Sequence, residues 1–303
     1  MKNRIEIASP AKINLFLELH GRRPDGFHEI DTVMSAVSIF DRLSFTKRSD
    51  SSIQLKIQYP ARGRQTAETD PIPTDDRNLI VKAVNLVREN SPNSPCTPGM
   101  DIVLSKQIPS AAGLGGASSN AAAALIAANE LWDLNLPKTH LEQLAAQLGS
   151  DIGFFLTGGT AVCRGRGEQV QPIECPAGHF ILVAKPTAAL STADVFKQVS
   201  ASDDIRSSVP FIESVRLGQC NLIGKKMFNR LEQFASGLAS EIDELRKAFS
   251  NLNCLGHQMS GSGSSYFGLF PNAQSTRQAF RRLSSRLPAL RIFCTQTISP
   301  FRL

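Results

Sequence analysis

The chain has 303 residues, 42% hydrophobic and 20% charged, a composition that supports a sizeable core and excludes a disordered or low-complexity protein. The formal net charge of +6 is spread along the sequence rather than gathered in one tract, which suits an anionic small substrate and argues against a dedicated nucleic-acid-binding face. No apolar run is long enough to span a bilayer, and the start, MKNRIEIASPAK, lacks the apolar stretch of a secretory signal, so a cytoplasmic protein without membrane contact is expected.

In chain order, residues 5–19 (IEIASPAKINLFLEL) read as two strands interrupted near Ser9-Pro10, because proline cannot donate to a central ladder. Residues 20–30 read as a turn-rich loop, and 31–45 and 52–59 as further strands. The polar, proline-spotted stretch 60–77 is a surface loop. Apolar residues at helical spacing predict a helix over 78–90, ended by the prolines of 91–99. A strand at 100–109 leads into PSAAGLGGASSNAAAAL (109–125), whose alanines begin a helix reaching Trp132, and 137–149 is another helix, stopped by Gly149.

Strands return in GTAVCRGRGEQVQPI and HFILVAKP. Residues 191–199 form a capped helix, and 240–252 another. A second glycine loop, SGSGSS (260–265), is expected between a helix and the strand YFGLF, and the basic stretch 277–291 is the solvated face of an amphipathic helix. The composition shifts near 160–180, which places a domain boundary there. The cysteines, Cys96, Cys163, Cys175, Cys220, Cys254 and Cys294, are scattered, with no C-x-x-C pair and no metal-like cluster with histidine, and read as reduced thiols.

The glycine stretch 113–116 before a strong helix is the feature that points to chemistry. A helix start leaves backbone N–H groups unpaired, with partial positive charge. Glycine lets a ligand approach the backbone closely, so loop plus helix is a phosphate site, with Ser118 and Ser119 adding hydroxyls. The Walker and dinucleotide patterns both fail here: no lysine follows Gly116, and Ser118 stands where the dinucleotide pattern needs its third glycine. Read alone, the loop is equally a small-residue turn that permits tight packing.

Three segments together, SPAKINLFL (9–17), PSAAGLGGASSNAAA (109–123) and SGSGSSYFGLF (260–270), resemble in order and spacing the motifs of the GHMP small-molecule kinases. RRPDGFHEIDTV (22–33), RNLIVKA (77–83) and LGSDIGFFLTGGTAVCRGRGE (148–168) resemble the branch of that family whose acceptor is a polyol joined to cytidine diphosphate. The resemblance implies an α+β fold of two domains: an ATP-binding N-terminal domain, taken as 1–165, and a ferredoxin-like C-terminal domain, 166–303, with the active site between them.

It also implies ATP and Mg²⁺ as cofactors, without naming the metal ligands, and phosphoryl transfer to the cytidyl-linked acceptor. Lys12 and Asp151 match the catalytic lysine and aspartate. Read alone, they are an edge-strand lysine and a helix cap. Asn78, Lys106, Pro109, Ala111, Gly113, Leu114, Gly115, Gly116, Ala117, Ser118 and Ser119 match the ATP site. Asn14, Phe27, His28, Thr192, Phe196, Gly261 and Gly263 match the acceptor site, His28 reading the cytosine edge and Phe196 stacking on the base. Phe27 stands where the family usually has tyrosine, keeping the ring and losing the hydroxyl. A GHMP kinase for homoserine, mevalonate or a sugar, and a basic nucleic-acid-binding protein, are the competing readings.

Overall fold

The computed structural model describes residues 2–59, 72–91, 97–199 and 204–300. Most of the loop expected at 60–77, and Cys96, lie outside them. The first half supplies six strands of a seven-stranded sheet, the seventh coming from the second half, with helices on one face. β1 (Arg4–Arg22) and β2 (His28–Lys47) form a long antiparallel hairpin, followed by β3 (Ile53–Gln58), α1 (Leu79–Glu89), β4 (Met100–Ser105), α2 (Gly116–Leu131), α3 (Lys138–Leu148), α4 (Ile152–Thr157), β5 (Thr160–Gly165) and β6 (Gln169–Pro172). The second half holds β7 (Phe180–Lys185), α5 (Thr192–Lys197), α6 (Val209–Arg216), α7 (Cys220–Lys226), β8 (Phe228–Asn229), α8 (Glu232–Ser236), α9 (Ser240–Ser250), β9 (Gly256–Met259), β10 (Tyr266–Phe270), α10 (Ala273–Arg286) and β11 (Arg291–Gln296). Among the described residues no helix is long and apolar enough to cross a membrane.

In the first sheet the strands run β3-β4-β2-β1-β8, with β5 joining β2 to β6. The second sheet runs β11-β7-β10-β9, all antiparallel. Numbered along its own chain, that order is 4-1-3-2, the ferredoxin-like layout. The fold is α+β, as the resemblance implied.

Three expectations are corrected. β1 is one strand, not two: its register with β2 shifts between Pro10 and Ala11, a bulge that absorbs the proline without ending the strand. Among the described residues the one strand on the other side of β1, β8, pairs at Phe16 and Leu17, so the missing N–H of Pro10 interrupts no second ladder there. The glycine loop 260–265 joins two strands, β9 and β10, because Gly256 to Met259, just before it, pair with β10. The loop expected at 20–30 is also shorter, a turn over 23–27, since both strands run on into it.

Strand periodicity divides the chain's work. Between its register shifts at Pro10/Ala11 and Asn14/Phe16, β1 turns Ala11, Ile13 and Leu15 toward the second sheet, where they pack with Val33, Ile181, Val183 and Phe267. The intervening Lys12 and Asn14 therefore face the other way, toward the glycine loop. On that face α2 is buried nearly all round, with Ala121 to Ala124, Ala127 and Ala128 fully covered. Alanine's small side chain lets α1, β1 and β2 close on this helix, which fixes its N-terminus in place. A third core joins the second sheet to α8, α9 and α10.

Candidate active site

A cleft of about 1200 Å³ opens between the β1–β2 hairpin, the glycine loop, α5 and the loop at Gly261. Every residue predicted for the site borders it except Ser119 and Gly263. Ser119 is fully buried in the first turns of α2, its hydroxyl without a hydrogen-bond partner among the described residues. Gly263 packs beside Met259 and Leu190.

The phosphate end is built by backbone. Gly115 occupies the N-cap of α2 at φ +68°, and no side chain caps the helix. The first N–H groups of a 16-residue helix are thus left for a ligand. Glycine is required at this point, because a Cβ on Gly115 would sit 2.9 Å from both Lys12 Cγ and Phe155 Cζ. Gly113, at φ +71°, is tighter still: its Cβ would lie 2.0 Å from the carbonyl oxygen of Ser260. Here the two glycine loops clasp each other. Ser260 Oγ donates to Gly113 O at 3.0 Å, and Ser265 N donates to Ala112 O at 3.1 Å.

Lys106 and Asn78 border the same end with their polar groups engaged. Lys106 Nζ meets Asp41 Oδ2 at 2.9 Å and also donates to Ile108 O, with both ionic side chains almost wholly buried. Asp41 further accepts from Gln107 N, Ile108 N and Asn120 Nδ2, so a single carboxylate organises the approach to the glycine loop. Asn78 caps α1 by accepting from Ile80 N at 2.9 Å and donates to Pro73 O. Asp41 and Asn120 were not singled out from the sequence; nothing marks a lone aspartate in a strand as the partner of a lysine 65 residues on.

Where the glycine loop meets the hairpin, Lys12 and Asp151 come together. Lys12 Nζ lies 3.4 Å from Asp151 Oδ2 and donates to Asn14 Oδ1 at 2.6 Å. Lys12 is 4% exposed, so it is no snorkelling edge lysine, while the Asp151 side chain stays 28% exposed to the cleft. Asp151 does hold the N-cap position of α4, yet its side chain makes no capping bond and turns to the lysine instead. Asn14 is pinned by donating to Thr32 Oγ1 at 2.9 Å, and Gly261 approaches so closely that a Cβ there would lie 3.3 Å from both Lys12 Nζ and Asn14 Oδ1.

The far end of the cleft is aromatic. The His28 and Phe196 rings pack with centroids 5.2 Å apart, Phe27 projects half-exposed, and Thr192 shares a hydrogen bond with Ser262 at 2.9 Å. Burial, with Arg22 nearby, lowers the pKa of His28, which favours the neutral imidazole. A neutral ring offers one donor and one acceptor, the pairing that a base edge can use.

A phosphate cradle, a buried lysine touching a part-exposed carboxylate and an aromatic pocket share one cleft. Residues 78–159 match the GHMP kinases N terminal domain, and residues 211–289 match the GHMP kinases C terminal region. Fold and site together define an ATP-using small-molecule kinase of that kind. A 4-diphosphocytidyl-2-C-methyl-D-erythritol kinase of Alkaliphilus metalliredigens is 35% identical over 93% of this chain and 93% of its own, and one of Bacillus pumilus is 35% identical over 97% and 95%. The chain belongs to the 4-diphosphocytidyl-2-C-methyl-D-erythritol kinase family. A crystal structure titled 4-(cytidine 5'-diphospho)-2C-methyl-D-erythritol kinase superposes with a TM-score of 0.78 at 31% identity, covering 97% of this chain and all of the other. A homoserine kinase from Cytophaga hutchinsonii, 19% identical with a TM-score of 0.74 over 99% of this chain and 96% of its own, shares the fold.

Proposed function

We propose that this protein transfers the γ-phosphoryl group of ATP to the 2-hydroxyl of 4-diphosphocytidyl-2-C-methyl-D-erythritol, a step of non-mevalonate isoprenoid precursor synthesis, in the cytoplasm. The observation that carries the reading is the Lys12–Asp151 contact at 3.4 Å, at the junction of the phosphate cradle and the aromatic pocket. Its partners are ATP and a cytidyl-diphosphate-linked polyol, and neither nucleic acid nor membrane enters it. The working division is a nucleotide-binding half, 1–165, and a second half, 166–303, that supplies α5 and the loop at Gly261.

ATP lies with its phosphates on the backbone of residues 113–117 and the start of α2, near Ser118, with Asn78 and Lys106 toward the nucleoside. The acceptor places its base among Phe27, His28 and Phe196 and its reacting hydroxyl at Asp151. Asp151 accepts the hydroxyl proton as the oxygen bonds to phosphorus, and the β–γ bridging oxygen of ATP leaves on ADP. The Lys12 ammonium, held by Asn14, orients the carboxylate and faces the equatorial phosphoryl oxygens, where charge is greatest in the transition state. Ser118 and Asp151 are hard oxygen donors of the kind Mg²⁺ prefers. Mg²⁺ arriving with ATP neutralises phosphate charge when bound.

The test is ATP consumption with Mg²⁺ and four acceptors: the cytidyl compound, homoserine, mevalonate and galactose. Turnover with the cytidyl compound alone is expected, and Asp151→Asn is expected to lower kcat by about 10²–10⁴, the scale for a lost proton acceptor. Turnover with another acceptor would overturn the substrate assignment, and near-normal turnover by Asp151→Asn would overturn the role of that residue.

A further inference from the structure

The cations bordering the cleft fall into two groups. Lys12, Lys106 and Lys197 each have a carboxylate partner, in Asp151, Asp41 and Asp194. Arg22 and Arg166 border the cleft with no carboxylate within 4 Å among the described residues. Arg22 stands opposite His28 in the hairpin register, at the base end. Arg166 is placed differently.

Arg166 sits in the turn between β5 and β6. Two carboxylates near it hold the turn's backbone instead, and a third, Asp25, which also feels the charge of Arg166, is paired with Arg23 at 3.1 Å. Glu168 Oε2 accepts from Arg166 N at 2.6 Å, and Glu29 Oε1 accepts from Gly165 N at 3.1 Å. Among the described residues the guanidinium makes one hydrogen bond, from Nη2 to Ala146 O at 3.3 Å, and its carbon lies 4.8 Å from the centroid of the Phe27 ring. The next residue packs on the reacting end: a Cβ on Gly167 would lie 3.4 Å from Ser150 Cβ and 3.8 Å from Asp151 Oδ1. The turn thus spans the gap between the aromatic pocket and Asp151.

We propose that Arg166 is a substrate-binding residue that holds the diphosphate of the acceptor, with the Phe27 ring as the shelf presenting its guanidinium. The inference rests on the acceptor assignment made above. A molecule with its base at Phe27 and His28 and its hydroxyl at Asp151 has to lay its diphosphate along this turn. The guanidinium over the Phe27 ring spends one N–H on Ala146 O and has further N–H groups to offer phosphate oxygens. The shelf needs a ring and not a hydroxyl, so phenylalanine at position 27 serves it fully.

The experiment measures binding of cytidine, CMP and CDP, with the ATP site filled by a non-hydrolysable ATP analogue, to wild-type protein, Arg166→Ala and Arg166→Lys. Arg166→Ala is expected to weaken CDP about 10-fold or more, the scale for a lost hydrogen-bonded charge contact, and to leave cytidine within about twofold. Arg166→Lys recovers part of the loss, since it keeps the charge without the fork. In the kinase assay the KM for the acceptor rises in Arg166→Ala and the KM for ATP does not. Equal weakening of cytidine and CDP would reduce Arg166 to a prop for Phe27 and overturn the proposal, as would unchanged CDP binding. Wild-type protein that binds none of the three would overturn the acceptor assignment and this inference with it, an outcome distinct from wild-type binding that Arg166→Ala leaves unaltered.

Discussion

At His28, burial first and Arg22 second lower the imidazole pKa below its ordinary value of about 6.5. The folded protein therefore disfavours the charged ring. Its contribution to stability is present above the unfolded value and is lost as pH falls through the lowered folded one. Binding follows the same sign. Protonation removes the ring's acceptor, so the KM for the cytidyl substrate is expected to rise only as the pH falls through that lowered value, on the acid side of an ordinary imidazole. His28→Gln keeps a donor and an acceptor at every pH and should flatten that rise. Steady-state kinetics from pH 5.5 to 8 check it, and a variant that keeps the wild-type pH profile would show that some other group titrates. Arg22 is the charged neighbour that acts on this ring. Asp151 makes a different residue-scale point: its position caps a helix while its side chain serves the cleft, so neither fact alone identifies its role.

Among the elements, α2 and the two glycine loops act as a unit. The helix is aligned by buried alanines, its N-terminus is left uncapped by Gly115, and the loop ahead of it is clasped by the loop between β9 and β10. Gly113→Ala is expected to break the clasp. It puts a methyl group against Ser260 O and holds alanine at φ +71°, a left-handed conformation that itself costs about 1–2 kcal/mol. A fall in Tm of several degrees and a KM for ATP raised about 10-fold should follow, since both the loop and the cradle shift. Thermal melts and ATP-dependent rates check it; unchanged values would mean that the loops close without Gly113.

Across the whole molecule, the buried Asp41–Lys106 pair joins β2, the segment after β4 and, through Asn120, α2 and Ser9 of β1. Removing one partner of a buried pair leaves the other charge uncompensated, so Asp41→Ala is expected to destabilise the protein by about 3–5 kcal/mol. Urea unfolding measures this. Asp41→Asn, which keeps an acceptor for the backbone N–H groups of Gln107 and Ile108, should fall short of that loss. Equal effects of the two variants would show that the charge is not what matters.

Much of this protein was determined by its sequence alone. The spacing of apolar residues locates α1, α3 and α9. The alanine run locates α2, and the strand patterns locate most residues of β1 and β2 though not their continuity, because local periodicity decides which face of an element can be buried. The three glycine and lysine motifs also identified the family, which its relatives bear out over nearly the whole chain. The tertiary structure alone decided what long-range contacts bring together. Lys12 meets Asp151 across 139 positions. Pro10 bends a continuous strand instead of ending it, since no second ladder depended on its N–H. Asp41 and Arg166 gain their places from elements far apart in the chain, and a side chain whose partners lie on another element leaves no periodic trace in its own neighbourhood.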